Sequence, residues 1–377
     1  MRKIFAVILT VSMLIGVSGC STETNLQNLD LSETVIIENT PENGVWENLK
    51  YNRDETISPQ TKDTVQKIVN GFFPELAFDE KNVVIRTSKD DIGCNIAYAS
   101  AEEEDYLNAT QMRYIGDEIY LELAGSNMFE MYNRKTVLDS IGKEWTGKAM
   151  WRPYFSGTVK KESKITSETD LSETYPLCGN EVSIAEALDF AQKTMESGTI
   201  PYICAEGCKT QPINVEIFKF DETHYGYNFK FQLTYNNVPI DASKAAGYSN
   251  EDLTDIKGYI CQTYIELFTF TGDTIDWIWT TPLSGECVEK EECDKLITYE
   301  EACAILSKEL SPDFVFDVES AELNYSLKIV RQGENSGNYI IPTWRFRVID
   351  LSGFNDFSVL YIYINAETKD LYTEYAA

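Results

Sequence analysis

Side chains able to do acid–base or nucleophilic chemistry are unevenly represented in this chain. Its 377 residues include 61 Asp and Glu but a single histidine, His224. Serine and cysteine hydrolases use an imidazole as base, and His-Glu-x-x-His zinc hydrolases need two histidines. His224 lies in Asp-Glu-Thr-His-Tyr-Gly, which is typical of a turn, and no Gly-x-Ser-x-Gly sequence supplies a nucleophile. We therefore expect no catalytic residues, and the protein is predicted not to be an enzyme.

Nucleotide and metal chemistry has no support either. The sequence lacks both the Gly-x-x-x-x-Gly-Lys-Ser/Thr loop and the Gly-x-Gly-x-x-Gly fingerprint. The acidic run Glu102–Asp105 is not part of an Asp-x-Asp-x-Asp-Gly calcium loop and suits a solvated turn. We expect no cofactor and no metal.

Carboxylates are the one catalytic group present in number. Paired carboxylates roughly 5 to 10 Å apart catalyse glycoside hydrolysis, but so many acidic residues place some pairs at that distance in any fold. Clusters such as Asp252 with Asp255, or the acidic residues within 289–294, suit a solvated surface. A carboxylate-dependent hydrolase of cell-wall or polysaccharide material remains the less favoured alternative.

Tryptophans are the candidate binding residues. Trp277 and Trp279 are two positions apart, so they face the same side of a strand. They could stack on a sugar or a peptide, as could Trp344, although aromatic residues in small modules more often pack in the core. We take Trp277, Trp279 and Trp344 as candidate partner-binding residues, with core packing as the alternative.

The first twenty residues indicate export. Arg2 and Lys3 precede an apolar run, Ile4–Val17, which is followed by Ser-Gly-Cys20. The run has roughly 14 residues where a membrane span needs about 20. A cysteine directly after Ser-Gly resembles the bacterial lipobox, which implies that Cys20 is acylated and becomes the mature N-terminus. We expect a lipid-anchored protein on the extracytoplasmic face of the cell membrane.

Charge limits the possible partners. Removal of residues 1–19 takes away two positive charges, so 30 basic and 61 acidic residues leave a net charge of −31. Such a surface repels nucleic acid and anionic headgroups. Membrane attachment must therefore come from acyl chains, of which stable anchoring needs about two.

The remaining cysteines leave three alternatives. Nine cysteines become eight once Cys20 carries lipid, and outside the cytoplasm these could form up to four disulfides. Buried free thiols are the second possibility. A metal site is the third, but Cys204 with Cys208 and Cys287 with Cys293 lack the Cys-x2-Cys spacing.

The C-terminal half repeats one pattern twice. Each copy begins with a capping box, Ser183 with Glu186 and Thr298 with Glu301, followed by apolar residues at helical spacing. Strand-like segments follow at 215–220, 227–235 and 259–270 in the first copy, and at 321–330, 340–348 and 358–364 in the second. We predict an α+β fold in which a helix packs on an antiparallel sheet, with the unit duplicated in the C-terminal half.

Both copies resemble a PepSY-type unit. The first copy does so through 183–193, 227–240 and 264–277, and the second through 298–306, 340–346 and 361–369. The end of the second copy is similar to the family's closing Val-Asp-Ala-x-Thr-Gly, with Asn365 in place of Asp and Lys369 in place of Gly. The resemblance implies a module of exported bacterial proteins that holds or inhibits peptidases or regulates envelope signalling, and it transfers no catalytic residues. The whole chain also resembles uncharacterised surface lipoproteins of clostridia-like bacteria.

These observations define a domain plan and a functional hypothesis. The plan is a signal peptide at 1–19, a flexible tether at 20–45, an N-terminal α+β region at 46–175, and PepSY-like units at 176–290 and 291–377. The protein is predicted to be a non-catalytic membrane-anchored lipoprotein that binds a surface protein or peptide or regulates an envelope process. The main alternative is a lipoprotein that captures a solute.

Overall fold

The computed structural model describes most of the chain. Described are residues 28–51, 57–73, 76–87, 94–124, 128–133, 158–196, 204–242, 259–261, 263–280, 285–310, 315–330, 336–351 and 359–373. The predicted signal peptide and Cys20 lie outside the described residues. Within the described part of the chain, no helix is long and apolar enough to cross a bilayer.

The protein is mostly β, so the predicted α+β class is wrong. Strands hold 52% of the described residues and helices 18%. The four α-helices of the described residues are α1 (Thr61–Phe72), α2 (Glu103–Leu107), α3 (Ile184–Glu196) and α4 (Tyr299–Glu309). They are too few to cover the sheets, and the two large sheets instead bury apolar surface against each other.

Strands make up nearly all the remaining regular structure. In chain order they are β1 (Leu29–Asp30), β2 (Val35–Glu38), β3 (Glu47–Tyr51), β4 (Val83–Thr87), β5 (Cys94–Ala97), β6 (Ala109–Ile115), β7 (Ile119–Ala124), β8 (Met128–Asn133), β9 (Thr158–Lys164), β10 (Thr174–Leu177), β11 (Asn180–Ser183), β12 (Cys208–Lys219), β13 (Tyr225–Tyr235), β14 (Val238–Pro239), β15 (Tyr259–Cys261), β16 (Tyr264–Thr269), β17 (Trp277–Thr280), β18 (Cys287–Glu292), β19 (Phe316–Val330), β20 (Gly337–Asp350), β21 (Leu360–Asn365) and β22 (Leu371–Thr373). Strands β1 and β2 lie in the segment that the sequence assigns to the tether.

The larger sheet, sheet B, has eleven strands. Its order is β5-β4-β6-β7-β8-β17-β16-β13-β12-β9, with β14 paired to β13. The pairing of β8 with β17 joins strands from the N-terminal region to strands from the first predicted unit. Helices α1 and α3 pack on one face of this sheet through a shared core.

The second sheet, sheet A, has nine strands arranged around β19 and β20. Its main order is β1-β19-β20-β21-β22. Strands β1, β2 and β15 pair with successive parts of β19, and β3 joins β18 to β20. Helix α4 packs on one face of sheet A over a separate core.

The predicted capping boxes are confirmed. The Glu186 side chain accepts from the Ser183 backbone N–H at 2.9 Å, and the Ser183 hydroxyl accepts from the Glu186 N–H at 3.2 Å. Thr298 and Glu301 make the same reciprocal pair at the start of α4. The order of elements also recurs, because α3 precedes the antiparallel series β12-β13-β16-β17 and α4 precedes β19-β20-β21-β22.

Buried polar contacts tie the two sheets together. Glu47 of β3, 3% exposed, accepts from the Tyr235 hydroxyl of β13 at 2.9 Å and pairs with Lys290 Nζ at 2.9 Å. Asp241, after β14, pairs with Arg345 of β20 at 2.5 Å. The sheets therefore share both an apolar core and buried ionic contacts.

Candidate functional site

Polar and aromatic side chains form one straight row across the face of sheet B that is opposite α1 and α3. Register places these residues directly beside one another on successive strands: Arg113, Glu122, Glu130, Trp279, Glu266 and Lys230. Neighbouring strands lie about 4.8 Å apart, so the six positions span about 24 Å. We call this set the Trp279 row.

A second row lies on the same face beside the Trp279 row, two residues further along each strand. This aromatic row comprises Tyr120, Tyr132, Trp277, Phe268 and Asn228, which are paired in the same way and are all nearly inaccessible. Alternate residues of a strand share a face, so the two rows are parallel. The aromatic row supports the Trp279 row from one side.

Near one end of the Trp279 row, two hydrogen-bond donors hold the Glu122 carboxylate. Arg113 Nε donates to its Oε2 at 2.9 Å, and the Tyr120 hydroxyl donates to the same oxygen. Burial, followed by the hydrogen bond to Glu122, raises the pKa of Tyr120 above its usual value. Tyr120 therefore remains a protonated donor at neutral pH.

Glu130 is held by the aromatic row. The Tyr132 hydroxyl donates to its Oε1 at 2.5 Å, and the Trp277 indole Nε1 donates to the same oxygen at 3.2 Å. Trp277 is itself fully buried. The indole therefore anchors a carboxylate whose own residue remains partly exposed.

Trp279 is the partly exposed aromatic residue at the centre of the row. The centroid of its ring lies 5.1 Å from that of Tyr264. Lys230, which follows Glu266 in the row, places its Nζ 3.9 Å from the centroid of the same Tyr264 ring. A cation over an aromatic face is stabilised by the ring quadrupole. The exposed part of the row therefore combines an indole with charges of both signs.

The structure brings together two of the three predicted tryptophans. Trp277 and Trp279 share a face of β17, as their spacing indicates. Trp344 lies apart, in β20, where it is 1% exposed and donates from Nε1 to the Ile297 carbonyl at 3.0 Å under α4. Its observed contacts are those of core packing.

The single histidine lies in a surface turn. His224 Nδ1 is 2.7 Å from Asp221 Oδ2, and both side chains are exposed. The backbone N–H of Thr223, with the His224 ring, lowers the pKa of Asp221 to about 2. These contacts stabilise the turn between β12 and β13.

Five cysteines, Cys204, Cys208, Cys287, Cys293 and Cys303, are free thiols, so no disulfide joins them. Burial raises the pKa of Cys204 to about 11 and also raises that of Cys208, whose Sγ lies 3.9 Å from the Tyr51 hydroxyl. Across the described ranges, no three Cys, His, Asp or Glu side chains are placed to hold a metal ion.

Sequence reasoning missed the charged members of the row. Arg113 and Glu130 lie on β6 and β8, whereas Glu266 lies on β16, and strand register brings all three into one row. The available signal was a repeated spacing, in which an aromatic residue and a glutamate lie two positions apart in Tyr120-x-Glu122, Glu130-x-Tyr132 and Glu266-x-Phe268. Alternation in a strand puts both members of each pair on one face.

Comparison with known proteins finds a distant structural similarity. No protein-family model matches the chain, and no curated protein matches it. A crystal structure of an uncharacterized protein from Eubacterium rectale ATCC 33656 is similar over 90% of this chain and 91% of its own, with 15% identity and a TM-score of 0.45.

Proposed function

We propose that this protein is a non-catalytic lipoprotein, anchored through Cys20 on the extracytoplasmic face of the cell membrane, that binds a protein or peptide partner through the Trp279 row. The anchor is supported by the basic and apolar leader that ends in Ser-Gly-Cys20. The paired PepSY-like units belong to the same proposal, and the recurring order of a helix followed by four antiparallel strands supports them.

The observation that carries the binding proposal is the register of Glu130, Trp279 and Glu266. A partly exposed indole lies between Glu130, which is also partly exposed, and Glu266, which is 8% exposed. The indole offers stacking area, and the carboxylates offer acceptors for Lys, Arg or backbone N–H groups of a peptide. Tryptophan is enriched among the residues that dominate binding at protein interfaces. The row is long enough to contact several residues of an extended segment.

The same contacts favour binding over the hydrolase alternative. Glu122 and Glu130 stand directly opposite each other on β7 and β8. Their oxygens already accept hydrogen bonds from Arg113, Tyr120 and Tyr132. Carboxylates fixed as acceptors in this way suit a rigid recognition surface more than a pair that exchanges protons with a substrate.

The test is crosslinking on intact cells followed by recovery of the protein. We expect surface polypeptides to be recovered with the wild type and with Val288→Ala, an exposed position on sheet A, and to be depleted about tenfold with Trp279→Ala. Recovery of no partner under several crosslinkers, or equal recovery with all three proteins, would contradict the proposal. Metabolic labelling with an alkyne fatty acid, lost in Cys20→Ser, tests the anchor separately.

A further inference from the structure

Exposed apolar side chains gather at one end of sheet A. Eight large apolar residues are exposed among the described residues, and five lie here: Val35 (57%), Ile36 (47%), Ile37 (43%), Val315 (45%) and Leu351 (55%). We call these five residues the apolar patch. Contiguous exposed apolar surface on a soluble domain marks a contact with a protein or a membrane.

The patch has two parts along β19. Val315 lies at the start of this strand, where its carbonyl accepts from the Leu351 N–H at 2.9 Å, and Val35 is paired with Ser320 further along. At about 3.3 Å per residue, the distance from Val315 to the partner of Ile37 is about 23 Å. Strand alternation places Ile36 on the face opposite Val35 and Ile37, so the three β2 side chains surround the outer edge of that strand.

The described part of the chain begins at this same end. Asn28 accepts from the Phe316 N–H at 2.9 Å, directly after Val315, and its Nδ2 donates to the Ser307 carbonyl of α4 at 2.9 Å. Asn28 is 7% exposed. Asn28 is therefore fixed beside the patch.

The distance from the lipid is short. A fully extended chain spans at most about 3.6 Å per residue, so Cys20 can lie no more than about 29 Å from Asn28. Acyl chains on Cys20 would hold this end of sheet A within that distance of the headgroups. Strand β9, an edge strand of sheet B, lies far from Cys20 along the chain and has no such restraint.

We propose that the apolar patch rests on the membrane surface and orients the protein with the β2 end of sheet A against the bilayer. This inference depends on the lipid anchor of the proposed function. The patch sits at headgroup depth, because the outer edge of β2 carries backbone N–H and C=O groups that hydrocarbon cannot satisfy. A second copy is disfavoured as the occupant, since each mature chain carries a charge of −31.

Hydrogen exchange on phosphatidylcholine vesicles tests the inference. The lipidated protein bound to vesicles is compared with Cys20→Ser in solution, and we expect exchange in 35–38 to slow at least about fivefold on vesicles. Strand β9, an exposed edge strand with Val159 53% exposed, serves as the matched control and should not change. The lipidated variant Ile37→Glu should remain on the vesicles but lose the protection, whereas Val159→Glu should keep it.

Each outcome separates the two proposals. If the protein floats with the vesicles while β2 exchanges as fast as in Cys20→Ser, the anchor stands and the docking inference fails. If the wild type does not float with the vesicles, the anchor itself fails. Protection of β2 in Cys20→Ser together with a dimer mass in solution would assign the patch to a second copy and overturn the inference.

Discussion

At the scale of single residues, Glu130 shows how the site is fixed. Its Oε1 accepts from Tyr132 and Trp277, which both belong to the buried aromatic row. Hydrogen bonds to a charged acceptor contribute about 1.5 to 3 kcal/mol each. The carboxylate therefore has a defined orientation before any partner arrives, which reduces the entropy cost of binding.

Trp277 should matter for stability and Trp279 for binding. Replacing the fully buried Trp277 by Phe removes a donor to Glu130 and leaves a cavity, so we expect a loss of about 2 to 4 kcal/mol in the free energy of unfolding. The matched Trp279→Phe, at a partly exposed position, should lose less than about 1 kcal/mol. Equal losses of unfolding free energy for the two variants in urea denaturation would contradict this assignment of stability to Trp277 and binding to Trp279.

Cys303 provides a prediction about alkaline pH. Burial raises the pKa of this thiol from 9.0 to about 11. The folded protein therefore holds the proton more tightly than the unfolded chain, and this contribution to stability is complete below pH 9 and lost as the pH rises through about 11. We expect the free energy of unfolding to fall more steeply between pH 9 and 11 in the wild type than in Cys303→Ala. Parallel pH profiles of the two proteins would refute the assignment.

At the scale of elements, Asn365 and Lys369 shape the turn after β21. The Asn365 side-chain Oδ1 accepts from the N–H groups of Glu367 and Thr368, both at 2.9 Å, as Asn and Asp side chains do in turns. Lys369 has φ +69, the left-handed conformation that glycine adopts without steric cost. The turn therefore carries backbone strain at Lys369.

Relieving that strain should stabilise the protein. Lys369→Gly is expected to raise the free energy of unfolding by about 0.5 to 1 kcal/mol. A side chain in this conformation costs about 1 to 2 kcal/mol, and removing it recovers only part of that cost because glycine loses more backbone entropy on folding. Lys369→Ala keeps the Cβ and serves as the control, with little change expected. A Gly variant no more stable than the Ala variant in thermal unfolding would contradict this explanation.

Local elements were predictable because their signals are local. The capping boxes at Ser183 and Thr298 depend on residues three positions apart, and the structure confirms both. The shared face of Trp277 and Trp279 follows from strand alternation alone. By contrast, the pairing of β8 with β17 joins segments about 150 residues apart, and no local pattern encodes it. The charged members of the Trp279 row depend on that pairing, so sequence reasoning could not assemble them.

At the scale of the whole molecule, the two sheets share one apolar core. The cluster contains Leu49, Tyr325 and Ile340 from sheet A together with Phe229 and Ile278 from sheet B. The predicted α+β class is wrong for this reason. It assumed that helices cover the sheet faces, whereas each large sheet covers part of the other. The core also contains residues from each of the three folded regions, 46–175, 176–290 and 291–377, that the sequence predicts as separate.

Unfolding should therefore be cooperative. We expect a single calorimetric transition for residues 20–377. A fragment comprising 176–290 should lack stable tertiary structure, because β17 loses its partner β8 and the shared core is cut. The fragment should give near-ultraviolet circular dichroism typical of an unordered chain. Two separable transitions, or a folded fragment, would show that the regions are independent.

Site-specific photocrosslinking on intact cells tests the central claim most directly. A benzophenone amino acid is placed at Lys230, at the end of the row, and at Val288, which is 48% exposed on sheet A. Binding through the row predicts a defined adduct with one surface polypeptide from position 230 but not from position 288, and its loss when Trp279→Ala is added. No adduct at 230, or equal adducts at both positions, would contradict it.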